Sequence, residues 1–137
     1  MGQREFPAVV FKVEDGDTVY VWCDQGFDNW RMTKVRIRGI AARELSMPGG
    51  KEARDFLVSI LPPRSLPTEA TCVVYAYKWD KYAPRVDGDI LLFNGRMISE
   101  LMIESGYAAS WDGKGPQPIP EWPIPQTSHE GGSLFLP

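Results

Sequence analysis

The sequence is poor in several residue types, and each shortage removes a class of function. Histidine occurs once, at His129 in the proline-rich tail, which argues against a Ser-His or Cys-His hydrolase. Cysteine occurs twice, at Cys23 and Cys72. Without CxxC spacing or neighbouring histidines these two do not read as a zinc site, but as small buried thiols in strands. No apolar run approaches the roughly 20 residues that span a bilayer. Met1 to Phe6 lacks the apolar core of a secretory signal, so the chain as given is expected to be cytoplasmic, with no membrane partner. Basic charge is also missing: a net charge of -3 sets up no field that draws in polyanions. Nucleic-acid contact therefore has to come from a local cluster.

What is present suits one compact domain. The 137 residues are 43% hydrophobic and 12% aromatic, enough for a single core and too few for a second full domain. Ala8 to Val13 and Thr18 to Cys23 are β-branched and aromatic, and Glu14-Asp15-Gly16-Asp17 between them supplies turn residues, which predicts a hairpin. Met32 to Ile40 alternates apolar and basic residues, as a half-buried third strand does. Ala53, Phe56, Leu57, Ile60 and Leu61 then fall on one helical face, and Pro62-Pro63 ends it. Thr71 to Tyr77 and Val86 to Phe93 read as two more strands. Ile98, Leu101 and Met102 mark a second helix that stops near Gly106.

The order βββ-α-ββ-α is that of an α+β, mainly β chain: a five-stranded OB-fold barrel with two helices. Beyond Trp111 the prolines 116, 118, 120, 123 and 125 predict an extended arm, laid over the domain's own apolar surface through Trp122 or left as a tail. The expected division is residues 6–111 for the barrel and 112–137 for the proline-rich C-terminal arm.

Charged residues gather at predicted strand ends and loops: Asp15 and Asp17 in the first turn, Arg36 on the third strand, Glu44 after it, and Asp80, Lys81 and Arg85 before the fifth. Phosphodiester cleavage needs a carboxylate-held hard cation, a carboxylate to position water, and guanidinium groups on the phosphoryl oxygens. This set contains each. The same residues also make an ordinary solvated surface of turns and ion pairs.

Five blocks narrow the choice. Val13-Glu14-Asp15-Gly16-Asp17-Thr18-Val19 resembles the DGDTV signature of staphylococcal nuclease-like proteins, and Val35-Arg36-Ile37-Arg38-Gly39-Ile40 resembles their VRLxGI strand. Gly50-Lys51-Glu52-Ala53, Asp80-Lys81-Tyr82, and Asn94 to Ile98 with Gly106-Tyr107-Ala108 follow in the family's order. The resemblance implies a nuclease acting on DNA or RNA, with Arg36, Glu44 and Arg85 catalytic. It also implies Asp17 and the Ala42 carbonyl at a divalent cation, calcium with magnesium or manganese as substitutes, and Lys81, Tyr82 and Arg43 toward substrate. Arg85 keeps its register through a one-residue insertion at Ala83-Pro84.

The departure lies at Ala41-Ala42-Arg43-Glu44, where the family reads Asp-Thr/Ala-Pro-Glu. Ala41 removes a carboxylate, so calcium is expected to bind weakly. The alternatives left open are a catalytically impaired nucleic-acid-binding or scaffold module, and an assembly role for the arm ending in Leu134-Phe135-Leu136-Pro137.

Overall fold

The structure, a computed structural model, describes residues 4–125; His129 and the apolar end Leu134 to Pro137 lie outside the described residues. Five strands close into a barrel in the order β1 (Arg4–Asp15), β2 (Thr18–Asp24), β3 (Trp30–Ile37), β6 (Arg85–Leu92) and β5 (Cys72–Asp80). β1 and β2 form the predicted hairpin. β2 pairs antiparallel with β3, with Thr18 opposite Arg36. β5 and β6 form a second hairpin. The short parallel pairing of Val35 to Ile37 with Val86 to Gly88 shuts the barrel. Its interior is the alternating apolar set read from the sequence, with Val19, Val21, Val35, Ile37, Val74 and Ile90 fully buried.

α1 (Gly50–Ile60) lies between the third and fourth barrel strands and buries Ala53 and Leu57. The link after it runs back along β1, where the Arg64 and Thr71 amides donate to the Val10 and Ala8 carbonyls. α2 (Ile98–Glu104) buries Ile98 and Met102. Cys23 and Cys72 are both buried free thiols. Burial pushes the Cys72 thiol up to about 12, which keeps it protonated and inert at neutral pH.

The third strand is shorter than its sequence pattern. It breaks at Arg38-Gly39, where Gly39 takes a φ of 88°. The chain then restarts as β4 (Ile40–Ala42), which leaves the barrel to pair with β7 (Ala108–Ser110). The expected order of elements is therefore corrected by this extra two-stranded sheet. The break matters for the site, because it separates Arg36 on the barrel from Glu44 beyond β4.

The segment after Trp111 contains no helix or strand through residue 125. Tyr107 stacks on Phe56 of α1 and lies 6.3 Å from the Trp122 ring. Ile124 packs over Gly106. Among the described residues, no helix is long and apolar enough to cross a membrane.

Candidate nucleic-acid site

The turn between β1 and β2 places Asp17 under the end of β3. The Ile37 amide donates to the Asp17 carbonyl at 2.8 Å, and Asp17 is only 6% exposed. Each of its carboxylate oxygens has a partner. Oδ1 accepts the Thr18 hydroxyl at 3.0 Å, and Oδ2 accepts the Ala42 amide at 2.9 Å and lies 3.5 Å from the Arg36 guanidinium. Arg36 is fixed further by donating to the Ile37 carbonyl at 2.6 Å, and its guanidinium carbon lies 6.0 Å from the Trp111 ring centre. A guanidinium held from several sides is already oriented for an anion, so little side-chain entropy remains to be lost on binding.

Arg36 opens into a cleft of about 230 Å³ that also takes in Arg38, Lys78, Arg85, Trp111, Asp87 and Asp112. Four cations face two carboxylates there. Arg85 Nε is 3.2 Å from Asp87 Oδ1. Arg36 and Arg85, on the paired strands β3 and β6, are thus brought together in one cationic cleft. The sequence reading did not single out Arg38, Lys78 or Trp111. Arg38 shares strand alternation with Arg36, a usable signal, whereas Lys78 belongs to no motif.

Glu44 is placed elsewhere. It is exposed and lines a smaller cleft with Ala42, Arg43 and Met47, across which lie Gln117, Pro118 and Ile119 of the arm. Arg43 is held by the arm and by the loop that follows it toward α1, donating to the Pro120 carbonyl at 2.8 Å and the Pro48 carbonyl at 3.2 Å. Lys81 and Tyr82 sit on the turn between β5 and β6, the ammonium 5.3 Å from the ring centre and Tyr82 88% exposed. Neither lines the clefts of Arg36 or Glu44.

The divalent cation implied by the resemblance can be tested against these donors. It is the Ala42 amide, not its carbonyl, that contacts Asp17. Ala41 is fully buried and brings no oxygen from its side chain. Among the described residues, no three His, Cys, Asp or Glu side chains form a group able to hold an ion. An all-protein calcium cage of six to eight oxygens does not fit. Two carboxylates do come together, however. Asp15 accepts the Asp17 amide at 3.1 Å, and its carboxyl is pushed up to about 7 by burial and by the neighbouring Asp17 carboxylate. One or two carboxylates suit a hydrated cation that completes its shell with water and phosphate oxygens, as magnesium does.

A closed five-stranded barrel with a helix between its third and fourth strands defines an OB-fold domain, here carrying convergent guanidinium groups beside an acidic turn. No family model matches the chain. A probable staphylococcal-like nuclease of Oryza sativa subsp. japonica is 38% identical over 78 residues, 57% of this chain and 19% of the relative. A staphylococcal-like nuclease of Arabidopsis thaliana is 37% identical over 76 residues, 55% of this chain and 21% of the relative. An uncharacterised 38.1 kDa protein of Capnoides sempervirens is 38% identical over 78 residues, 57% of this chain and 21% of its own length. The matched stretch is thus a small part of each relative. Over a little more than half of its length, 57% and 55% against the Oryza and Arabidopsis relatives, the chain is similar to staphylococcal-like nucleases, in keeping with its motifs and its closed barrel.

Proposed function

We propose that the chain is a phosphodiesterase acting on DNA or RNA, with the cleft of Arg36, Arg38, Lys78 and Arg85 as its phosphate-binding surface. The supporting observation is the convergence of these four cations in a chain whose net charge is negative. Guanidinium forks match phosphoryl oxygens in geometry and strengthen their contact as charge builds on those oxygens. Asp15 and Asp17 are the residues that would hold a hydrated magnesium or manganese ion, with calcium held weakly. When bound, such an ion supplies positive charge at the phosphate and makes a water molecule more acidic.

The protein's own part is as follows. Arg36, locked by Asp17 and the Ile37 carbonyl, orients the phosphate, and Arg85 closes on it from β6. Glu44, two residues past Ala42, accepts a proton from the attacking water as the new P–O bond forms and the ester P–O bond breaks. The departing oxygen takes its proton from solvent.

A second reading, binding without hydrolysis, is favoured by one observation: Glu44 lines a cleft separate from that of Arg36 and Arg85. Purified protein incubated with single- and double-stranded DNA and RNA, with magnesium, manganese, calcium or EDTA, separates the two. Ion-dependent cleavage lost in Glu44→Gln, with binding kept, supports the nuclease. Binding lost in Arg36→Ala, with no cleavage under any ion, supports the binding module.

A further inference from the structure

Beyond the phosphate cleft, the barrel carries a second and larger concavity of about 580 Å³ that the nuclease reading does not use. It opens between the start of β1, the β2–β3 connection and the end of β5. Its distinctive lining is three cations, Arg4, Arg31 and Lys78, and three aromatic rings, Phe6, Tyr77 and Trp79. No carboxylate lines it among the described residues. Trp79 is 49% and Tyr77 37% exposed, costly for large rings unless something covers them.

The rings and cations alternate. Arg31 lies 5.3 Å from the Trp79 ring centre, Arg38 5.4 Å from that of Tyr77, and Arg4 5.9 Å from that of Phe6. A β-bulge produces this arrangement: Ala76 pairs with Gly88 and Lys78 with Asp87, leaving Tyr77 as the extra residue. The bulge breaks strict alternation, so that Tyr77, Lys78 and Trp79 in succession all line the concavity. The concavity is also continuous with the phosphate cleft. Lys78 lines both, and Arg38 of the phosphate cleft lies against Tyr77 of this one.

We propose that this concavity is a binding platform for single-stranded nucleic acid, holding the unpaired nucleotides that flank the phosphodiester in the Arg36 cleft. A single strand presents base faces and phosphates in turn, and alternating rings and cations meet both. A duplex hides its base faces and cannot use Trp79 or Tyr77 in this way. The inference rests on the phosphate-cleft reading for the position of the strand, but not for the chemistry of the platform.

The test uses the full chain in EDTA, with fluorescein-labelled dT2, dT12, U12 and a 12-base-pair duplex, read by anisotropy. The parent is expected to bind dT12 and U12 more tightly than the duplex. Trp79→Ala should weaken dT12 by roughly five- to hundredfold and leave dT2 unchanged, while Trp79→Phe retains most of the affinity. Arg36→Ala should weaken dT2 and dT12 alike. Equal affinity of the parent for dT12 and duplex, or parental dT12 binding by a double Arg31→Ala, Trp79→Ala variant, overturns the platform. If Trp79→Ala weakens dT12 while Arg36→Ala changes neither probe, the platform stands and the phosphate-cleft reading fails.

Discussion

The carboxylate of Asp89, on β6, caps α2 from outside the helix: its Oδ1 accepts the Ser99 amide at 3.1 Å and the Ile90 amide at 2.8 Å. Its Oδ2 accepts the Ser99 hydroxyl. Met97, at the N-cap position, offers no side-chain acceptor, so Asp89 supplies what a cap residue ordinarily would. Asp89→Ala leaves these donors without partners in a buried place, and the expected loss is about 1–3 kcal/mol of stability, measured by urea unfolding.

The same carboxyl predicts a pH effect. Burial raises the Asp89 carboxyl above its ordinary 3.8, so folding favours its protonated form. That contribution to stability is complete below the ordinary value and is lost as pH rises through the higher folded one. Asp89→Asn cannot ionise and escapes this loss. The melting temperature of Asp89→Asn minus that of the parent should therefore climb as pH rises from acid to neutral. A difference that stays flat or falls counts against the assignment.

Removing a phosphate contact should show in the salt dependence of binding as well as in affinity. For single strands, each neutralised phosphate contributes about 0.7 to the slope of log K against log salt. Arg36→Ala and Arg85→Ala should each lower the slope by about that amount in a titration of dT12 with sodium chloride. An unchanged slope in both variants would falsify their placement on phosphate.

Gly88 pairs with Ala76 where the β5 bulge begins, and a Cβ there would lie 2.2 Å from the Tyr75 carbonyl oxygen. Backbone cannot yield as a flexible side chain does. Gly88→Ala is expected to cost about 1–3 kcal/mol and, by shifting Tyr77 and Lys78, to weaken single-strand binding. Equilibrium unfolding and anisotropy on the same preparation check both.

Gly49 sits at a φ of 89° under Trp122, and a Cβ would meet the indole at 2.6 Å. Gly49→Ala should therefore lift the arm. Trypsin cleavage after Lys114 should quicken several-fold relative to the parent; an unchanged rate would show that Trp122 does not hold the arm down.

Much of this fold was legible because its periods are long enough to read. Alternation over β2 and β3 and the 3.6-residue stripe of α1 each run through several buried positions. β4 and β7 pair three residues with three, too few for a period, so the break at Arg38-Gly39 went unseen. Arg36 and Arg85 were legible through motif resemblance, and the β3–β6 pairing places them in one cleft. The separate setting of Glu44 depends on where the arm runs, which no local pattern encodes. Lys78 and Trp79 were hidden for another reason: their directions follow from a bulge at Tyr77, and a one-residue slip in pairing is invisible to a hydrophobicity pattern.

The parallel contact of Val35 to Ile37 with Val86 to Gly88 has one more consequence. By joining β3 to β6 it closes the barrel, and over those three residue pairs the sheet offers no free edge of unpaired amides and carbonyls, the feature through which many β proteins recruit an extended peptide or a second copy of themselves. Recognition at that seam therefore falls to side chains, and a few exchanged residues on its outer face can retarget it without disturbing the ladder beneath.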